Sequence, residues 1–104
     1  MEFIGAKRIH ASAQKSFEYA ARDSFPELFS DTPARADSEK LTLEWTIHAG
    51  ISGTLEVKPN GPSQADLTLK VKLEDLNDAR AAQIPTQIES ALERVRDAVE
   101  AEAE

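Results

Sequence analysis

The sequence predicts an α+β protein in which an antiparallel β-sheet packs against a long C-terminal α-helix. Three observations support this prediction. Three central segments alternate apolar and polar residues, short turns connect them, and the last third of the chain carries one apolar stripe at helical spacing. Alternation with a period of two buries one face of a strand and leaves the other in water. The helical stripe would cover the apolar face.

The first strand is predicted over residues 2–10. Neither of its faces is purely apolar, so we expect it at an edge of the sheet or crossing between layers. Ser12 is placed to cap a helix that ends near Asp23. Pro26 then opens a second short helix, because its fixed φ and missing N–H suit a first turn. Residues 30–40 are interpreted as a loop, either with or without a short edge strand near 34–37.

The three central strands are predicted over residues 41–48, 51–58 and 65–74. Gly50 follows the first of them, and Asn60-Gly61 marks a tight reversal after the second. Together they predict an antiparallel meander. Its inward face comprises Leu41, Leu43, Trp45, Ile47, Ile51, Gly53, Leu55, Val57, Ala65, Leu67, Leu69, Val71 and Leu73.

The last helix is identified by apolar residues spaced four, four, three and four positions apart. These residues are Ile84, Ile88, Leu92, Val95 and Val99. Pro85 either opens this helix or kinks a longer one that starts near Asn77. The stripe is too short for a coiled coil, so we expect it to pack on the sheet.

Composition narrows the class of protein. The 104-residue chain has no cysteine, which excludes a disulfide framework, a zinc knuckle and a thiol nucleophile. Its net charge of −7 argues against nucleic acid as a partner.

We expect no stable membrane insertion, since no long apolar run occurs. The N-terminus lacks signal-peptide features, which predicts a cytoplasmic location. No cofactor is indicated, and two distant histidines match no metal pattern.

Three segments carry a resemblance to a known family. They are the strand-to-helix step over residues 9–20, the Phe25-Pro26-Glu27-Leu28-Phe29 segment, and the glycine-containing strands over 45–57. Together with the order β-α-α-β(3 to 4)-α, they resemble the helix-grip fold of the SRPBCC superfamily. That superfamily includes START domains, birch-pollen-allergen-like proteins and the polyketide cyclase/dehydrase group. The resemblance implies one domain over residues 1–104 and a ligand held between the sheet and the last helix.

The inward face of the meander argues against catalysis. Every position on it is apolar or glycine, whereas an acid–base enzyme needs a titratable group aimed at its substrate. We therefore predict no catalytic residue. The inference depends on unbroken alternation, because a bulge near Gly53 would reverse the faces beyond it.

A few side chains have both a structural and a functional interpretation. Trp45 is either the largest core residue or the wall of an apolar pocket. His10 is either a partly exposed histidine at a strand end or an acid–base group. Lys7 or Arg8 either forms a surface ion pair or meets the acidic head group of a ligand. Tyr19 is either a boundary residue or a hydroxyl at a cavity mouth.

The function predicted from these observations is binding of an apolar or amphipathic small molecule, of lipid, polyketide or isoprenoid type. The alternatives are a cyclase/dehydratase-type enzyme and a partner-binding domain with a filled core. The expected ligand contacts are Trp45, Ile47, Leu55, Leu69, Ile88, Leu92, Tyr19, Phe17, Lys7 and His10.

Packing of the last helix on the sheet gives a first test. Leu92→Ala should lower the free energy of unfolding by about 2–5 kcal/mol, because it removes a buried side chain and leaves a cavity. Urea denaturation measures this loss. A loss below about 1 kcal/mol, typical of a surface substitution, would show that the helix is peripheral.

Overall fold

A computed structural model describes residues 1–23, 34–48, 50–75 and 77–103 of the chain. In chain order its strands are β1 (Glu2–Ile9), β2 (Arg35–Asp37), β3 (Thr42–His48), β4 (Ile51–Pro59) and β5 (Ala65–Leu73). Its helices are α1 (Ala13–Asp23), a 3₁₀ helix (Ala79–Ala82) and α2 (Ile84–Ala103). The short helix predicted around Pro26 lies outside the described residues.

The described strands form one antiparallel sheet in the order β1-β5-β4-β3-β2. The meander β3-β4-β5 confirms the prediction for the middle of the chain, and β2 is the short edge strand that the sequence left open. β1 pairs with β5 and lies at the opposite edge. The expectation of an edge strand is confirmed for β1, and the architecture confirms the predicted α+β class.

The hairpin turns match the residues that the sequence offers for them. Gly61 has a φ of 92°, and the N–H of Asn60 donates to the carbonyl of Gln64 at 2.9 Å. Gly50 has a φ of 81°, so both turns use the left-handed backbone that glycine adopts without steric penalty.

Two details of β3 differ from the predicted alternation. β3 begins at Thr42, because Leu41 adopts a φ of 55° at the end of the β2–β3 turn and is only partly buried. The register between β3 and β4 also shifts between Trp45 and His48, which is the signature of a bulge in β3. The bulge lies beyond Trp45, so the inward face of β4 and β5 is unchanged.

The core lies between the inward face of the sheet and the two α-helices. The inward residues of β4 and β5 are buried without exception, as are the five residues of the α2 stripe. Ser16 on α1 is the one buried polar side chain of the described residues, and its hydroxyl donates to the carbonyl of Ser12 at 3.0 Å. Ser12 also caps α1 as predicted, since its Oγ accepts the N–H of Lys15 at 3.2 Å.

The helix α2 packs mainly over β1, and Gly5 is the point of closest approach. A Cβ atom at Gly5 would overlap the Cγ2 atom of Ile88 and would lie 3.6 Å from Cδ1 of Leu92. Lack of space therefore requires a glycine at this position. The backbone conformation does not require one, because the φ of Gly5 is not positive.

The 3₁₀ helix connects β5 to α2 and is fixed by an ion pair. Asp78 caps it by accepting the N–H of Arg80 at 2.9 Å, and Nη2 of Arg80 donates to Oδ2 of Asp78 at 2.6 Å. These hydrogen bonds from Arg80 lower the pKa of Asp78 to about 2. α2 then starts at Ile84, so Pro85 occupies its first turn and opens the helix.

The close approach at Gly5 predicts strong coupling between two positions. Gly5→Ala should lower the free energy of unfolding by about 1–3 kcal/mol, because overpacking outweighs the ~0.4–1 kcal/mol that alanine gains through the unfolded chain. In an Ile88→Ala background the same substitution should instead raise the free energy of unfolding by up to ~0.4–1 kcal/mol, since the overlapping methyl is gone and the gain through the unfolded chain remains. Chemical denaturation of the four proteins measures the coupling. Additive losses would contradict the contact.

The Asp78–Arg80 pair predicts a pH dependence. A carboxyl whose pKa is lowered by folding contributes stability above its unfolded value near 4, and that contribution disappears as the pH falls towards 2. We expect the difference in unfolding midpoint between the wild type and Asp78→Asn to shrink over this range. Asp97→Asn, at an exposed carboxylate on α2, serves as the comparison. A difference that stays constant from pH 5 to pH 2 would contradict the pairing.

Candidate functional site

The inward face of the sheet is filled by its own side chains. One row across the sheet places Phe3 opposite Val71, Val71 opposite Gly53, and Gly53 opposite Trp45. Gly53 carries no side chain, which leaves room on this face beside the large indole of Trp45. Trp45, Val71 and Gly53 are all buried. The inward residues of this row therefore belong to a packed core.

Six of the ten predicted ligand contacts belong to this core. They are Trp45, Leu55, Leu69, Ile88, Leu92 and Phe17. The side chain of Ile47 lies outside the described residues. Tyr19 is partly buried at the surface of the core, where the guanidinium of Arg22 lies 5.5 Å from its ring centroid.

Two polar candidates, Arg8 on β1 and His10 in the adjoining loop, lie on the surface. The Nδ1 atom of exposed His10 is 3.4 Å from Nε2 of Gln64, and its backbone N–H donates to Glu100 at 3.0 Å. Arg8 points to the outer face and donates to Oδ1 of Asp66 at 2.9 Å. This hydrogen bond raises the pKa of the Arg8 guanidinium above its ordinary value.

A groove runs along the edge of the sheet between β1 and α2. It has a volume of about 280 Å³ and is partly enclosed. Its described lining comprises Phe3, Ile4, Gly5, Ala6, Lys7, Pro85, Ile88, Glu89 and Leu92. Lys7, Ile88 and Leu92 are thus the predicted site residues that the structure brings together at one solvent-accessible site. We call this feature the β1–α2 groove.

The edge of β1 that faces away from β5, which no described strand occupies, gives the groove a polar wall. Met1 and Leu73 exchange both backbone hydrogen bonds, at 2.9 and 2.8 Å. In an antiparallel ladder such doubly bonded pairs alternate, so the odd residues of β1 bond to β5 and the even residues point their N–H and C=O groups away from it. Ile4 and Ala6 therefore direct backbone donors and acceptors towards the groove.

Lys7 holds α2 against β1 at the rim of the groove. Its Nζ atom lies 3.2 Å from Oε1 of Glu93 and 4.0 Å from Oε1 of Glu89. The side chain of Lys7 is only 18% exposed, whereas that of Glu89 is 70% exposed. The structure thus shows the ion pair that the sequence offered as one of two interpretations for Lys7.

A second depression, of about 430 Å³, lies on the outer face of the sheet. Buried Trp45, Gly53 and Val71 lie beneath it, and polar side chains surround it. These are Glu2, Glu44, Thr46, Ser52, Thr54, Lys70 and Lys72. It is more open than the β1–α2 groove, as expected for the solvated face of a sheet.

Several residues that line the groove were not predicted as site residues. They include Phe3, Gly5, Pro85 and Glu89. The sequence carried one usable signal, which is the glycine within a predicted strand. Such a glycine often marks a close approach of another part of the chain.

Within the described residues, no group of histidine, aspartate and glutamate side chains could hold a metal ion. No helix of the described part is long and apolar enough to cross a membrane.

No protein-family profile matches the chain, and no curated protein matches it. Solved structures do match. The di-domain ARO/CYC BexL of the BE-7585A biosynthetic pathway superposes with a TM-score of 0.74 at 16% identity, over 96% of this chain and 46% of BexL. The chain thus spans slightly less than half of the BexL length.

Two further structures match over almost the whole of both chains. The protein TTHA0849 from Thermus thermophilus superposes with a TM-score of 0.72 at 12% identity, over 100% of each chain. The Zhui aromatase/cyclase from a Streptomyces species gives 0.60 at 12% identity, over 99% of this chain and 93% of that one. At such low identity these matches establish the fold alone. The chain has a helix-grip fold, which it shares with these structures.

Proposed function

We propose that the protein binds a small apolar or amphipathic molecule in the β1–α2 groove. The observation that carries the proposal is the groove itself, which combines apolar walls from Phe3, Ile88 and Leu92 with backbone groups of an open strand edge. Ligand sites are typically apolar concavities with a few placed polar groups. The volume of about 280 Å³ suits a single acyl chain or a small ring system.

The fold supports this proposal in a general way. BexL and the Zhui protein are aromatase/cyclases by name, so chains with this architecture act on small molecules. The ligand types expected from the sequence, namely lipid, polyketide or isoprenoid, all present the apolar surface that the groove requires.

The β1–α2 groove is not the site expected from the sequence. That site was expected at the centre of the sheet, with Trp45, Leu55 and Leu69 among its contacts. Those side chains are buried in the core, whereas Phe3 at the groove is only partly buried. An apolar ligand would remove the exposed part of Phe3 from water, which contributes roughly 25 cal/mol per Å² of apolar area.

Binding of N-phenyl-1-naphthylamine, a neutral apolar dye that fluoresces in apolar sites, tests the proposal. We expect saturable binding to the wild type. Phe3→Lys should weaken it about tenfold, because a charged side chain replaces an apolar wall, and about 1.4 kcal/mol corresponds to that factor. Thr54→Lys is the matched control, since it adds the same charge at an exposed position on the outer face.

Circular dichroism and urea denaturation of both variants verify that they fold. Absence of dye binding by the wild type would overturn the proposal and favour the alternative of a partner-binding domain with a filled core. Equal binding by Phe3→Lys and Thr54→Lys would exclude the β1–α2 groove as the site.

A further inference from the structure

The charges around the β1–α2 groove restrict the kind of molecule that fits it. Among the described residues that line the groove, Lys7 and Glu89 carry charge, and the other lining side chains are apolar or absent. Glu93 lies next to this pair and contacts Lys7. The identity of a polar head group therefore depends on how these three charges are balanced.

Lys7 is engaged more closely by Glu93 than by Glu89. Its Nζ atom is 3.2 Å from Oε1 of Glu93, within hydrogen-bond distance, and 4.0 Å from Oε1 of Glu89. The side chain of Glu89 is also the most exposed of the three. One positive and two negative groups leave the rim of the groove with a net negative charge, and Glu89 carries the carboxylate with spare acceptor capacity.

The surroundings strengthen this negative charge. Glu100 follows on α2, Asp97 is paired with Arg96 at 3.0 Å, and the whole chain carries a net charge of −7. The edge of β1 presents backbone N–H donors as well as carbonyl acceptors at Ile4 and Ala6, so it favours neither sign of charge. A primary ammonium group has three donors and no acceptor, so it complements the carboxylate of Glu89. A ligand carboxylate would instead meet repulsion from Glu89 and Glu93.

We propose that the ligand of the β1–α2 groove is a cationic amphiphile, with its ammonium group at Glu89 and its apolar body against Ile88, Leu92 and Phe3. This inference rests on the proposed function, because it specifies the head group of the molecule bound at the same site. Of the two interpretations that the sequence offered for Lys7, it retains the ion pair, in which Lys7 neutralises Glu93 and holds α2 in place.

Displacement of N-phenyl-1-naphthylamine by decylamine, decanol and decanoate tests the inference at low ionic strength, below the micelle concentration of each compound. The three share one apolar chain and differ in head-group charge. Decylamine should bind roughly two- to fivefold more tightly than decanol, the range expected for an exposed ion pair. Decanoate should bind most weakly.

Two variants locate the effect. Glu89→Gln should remove the preference for decylamine over decanol, whereas Glu44→Gln should preserve it. Both variants change the net charge by one, and Glu44 lies on the outer face away from the groove. Lys7→Gln should increase the preference for decylamine, because it makes the rim more negative.

The outcomes separate the two proposals. If none of the three compounds displaces the dye and the dye itself does not bind, the proposed function fails. If decanol and decylamine bind equally, or if decanoate binds best, the groove remains a ligand site and the cationic head group is wrong. An equal loss of preference in Glu44→Gln and Glu89→Gln would overturn the assignment of the ammonium group to Glu89, because the overall charge of the protein would then explain the effect.

Discussion

The contact between Gly5 and the α2 residues Ile88 and Leu92 is the constraint on which the rest of the structure depends. Because position 5 lacks a Cβ atom, α2 can lie directly against the edge strand β1. The helix thereby covers the inward side of β1 and closes the core at that end. The same approach creates the β1–α2 groove, since the helix stands beside a strand edge that no described strand occupies. Packing and the candidate site therefore have one origin.

Local patterns in the sequence account for much of the fold. The alternation in β4 and β5 defines their buried faces, and the stripe from Ile84 to Val99 defines the buried face of α2. The pairing of β1 with β5 joins residues far apart in the chain and follows from no local pattern. The bulge after Trp45 and the positive φ of Leu41 likewise arise from the fit of β3 to its neighbours.

The candidate site was harder to predict than the fold, for a physical reason. Alternation shows which side chains face inward, but it does not show whether space remains between them. Trp45, Leu55 and Leu69 were correctly placed on the inward face, and the structure buries them in the core. Lys7 was identified as a candidate, but its partner Glu93 is 86 residues away, so only the folded chain reveals the charge balance at the groove.

The location of bound ligand tests the account most directly. Amide and indole chemical shifts of the isotope-labelled protein, recorded by NMR with increasing N-phenyl-1-naphthylamine, distinguish the groove from the interior. We predict saturating shifts for residues 3–7 and for the amides around Ile88 and Leu92, with little change at the indole N–H of Trp45. Shifts concentrated at Trp45, Leu55 and Leu69 would place the ligand inside the sheet and contradict the β1–α2 groove as the site.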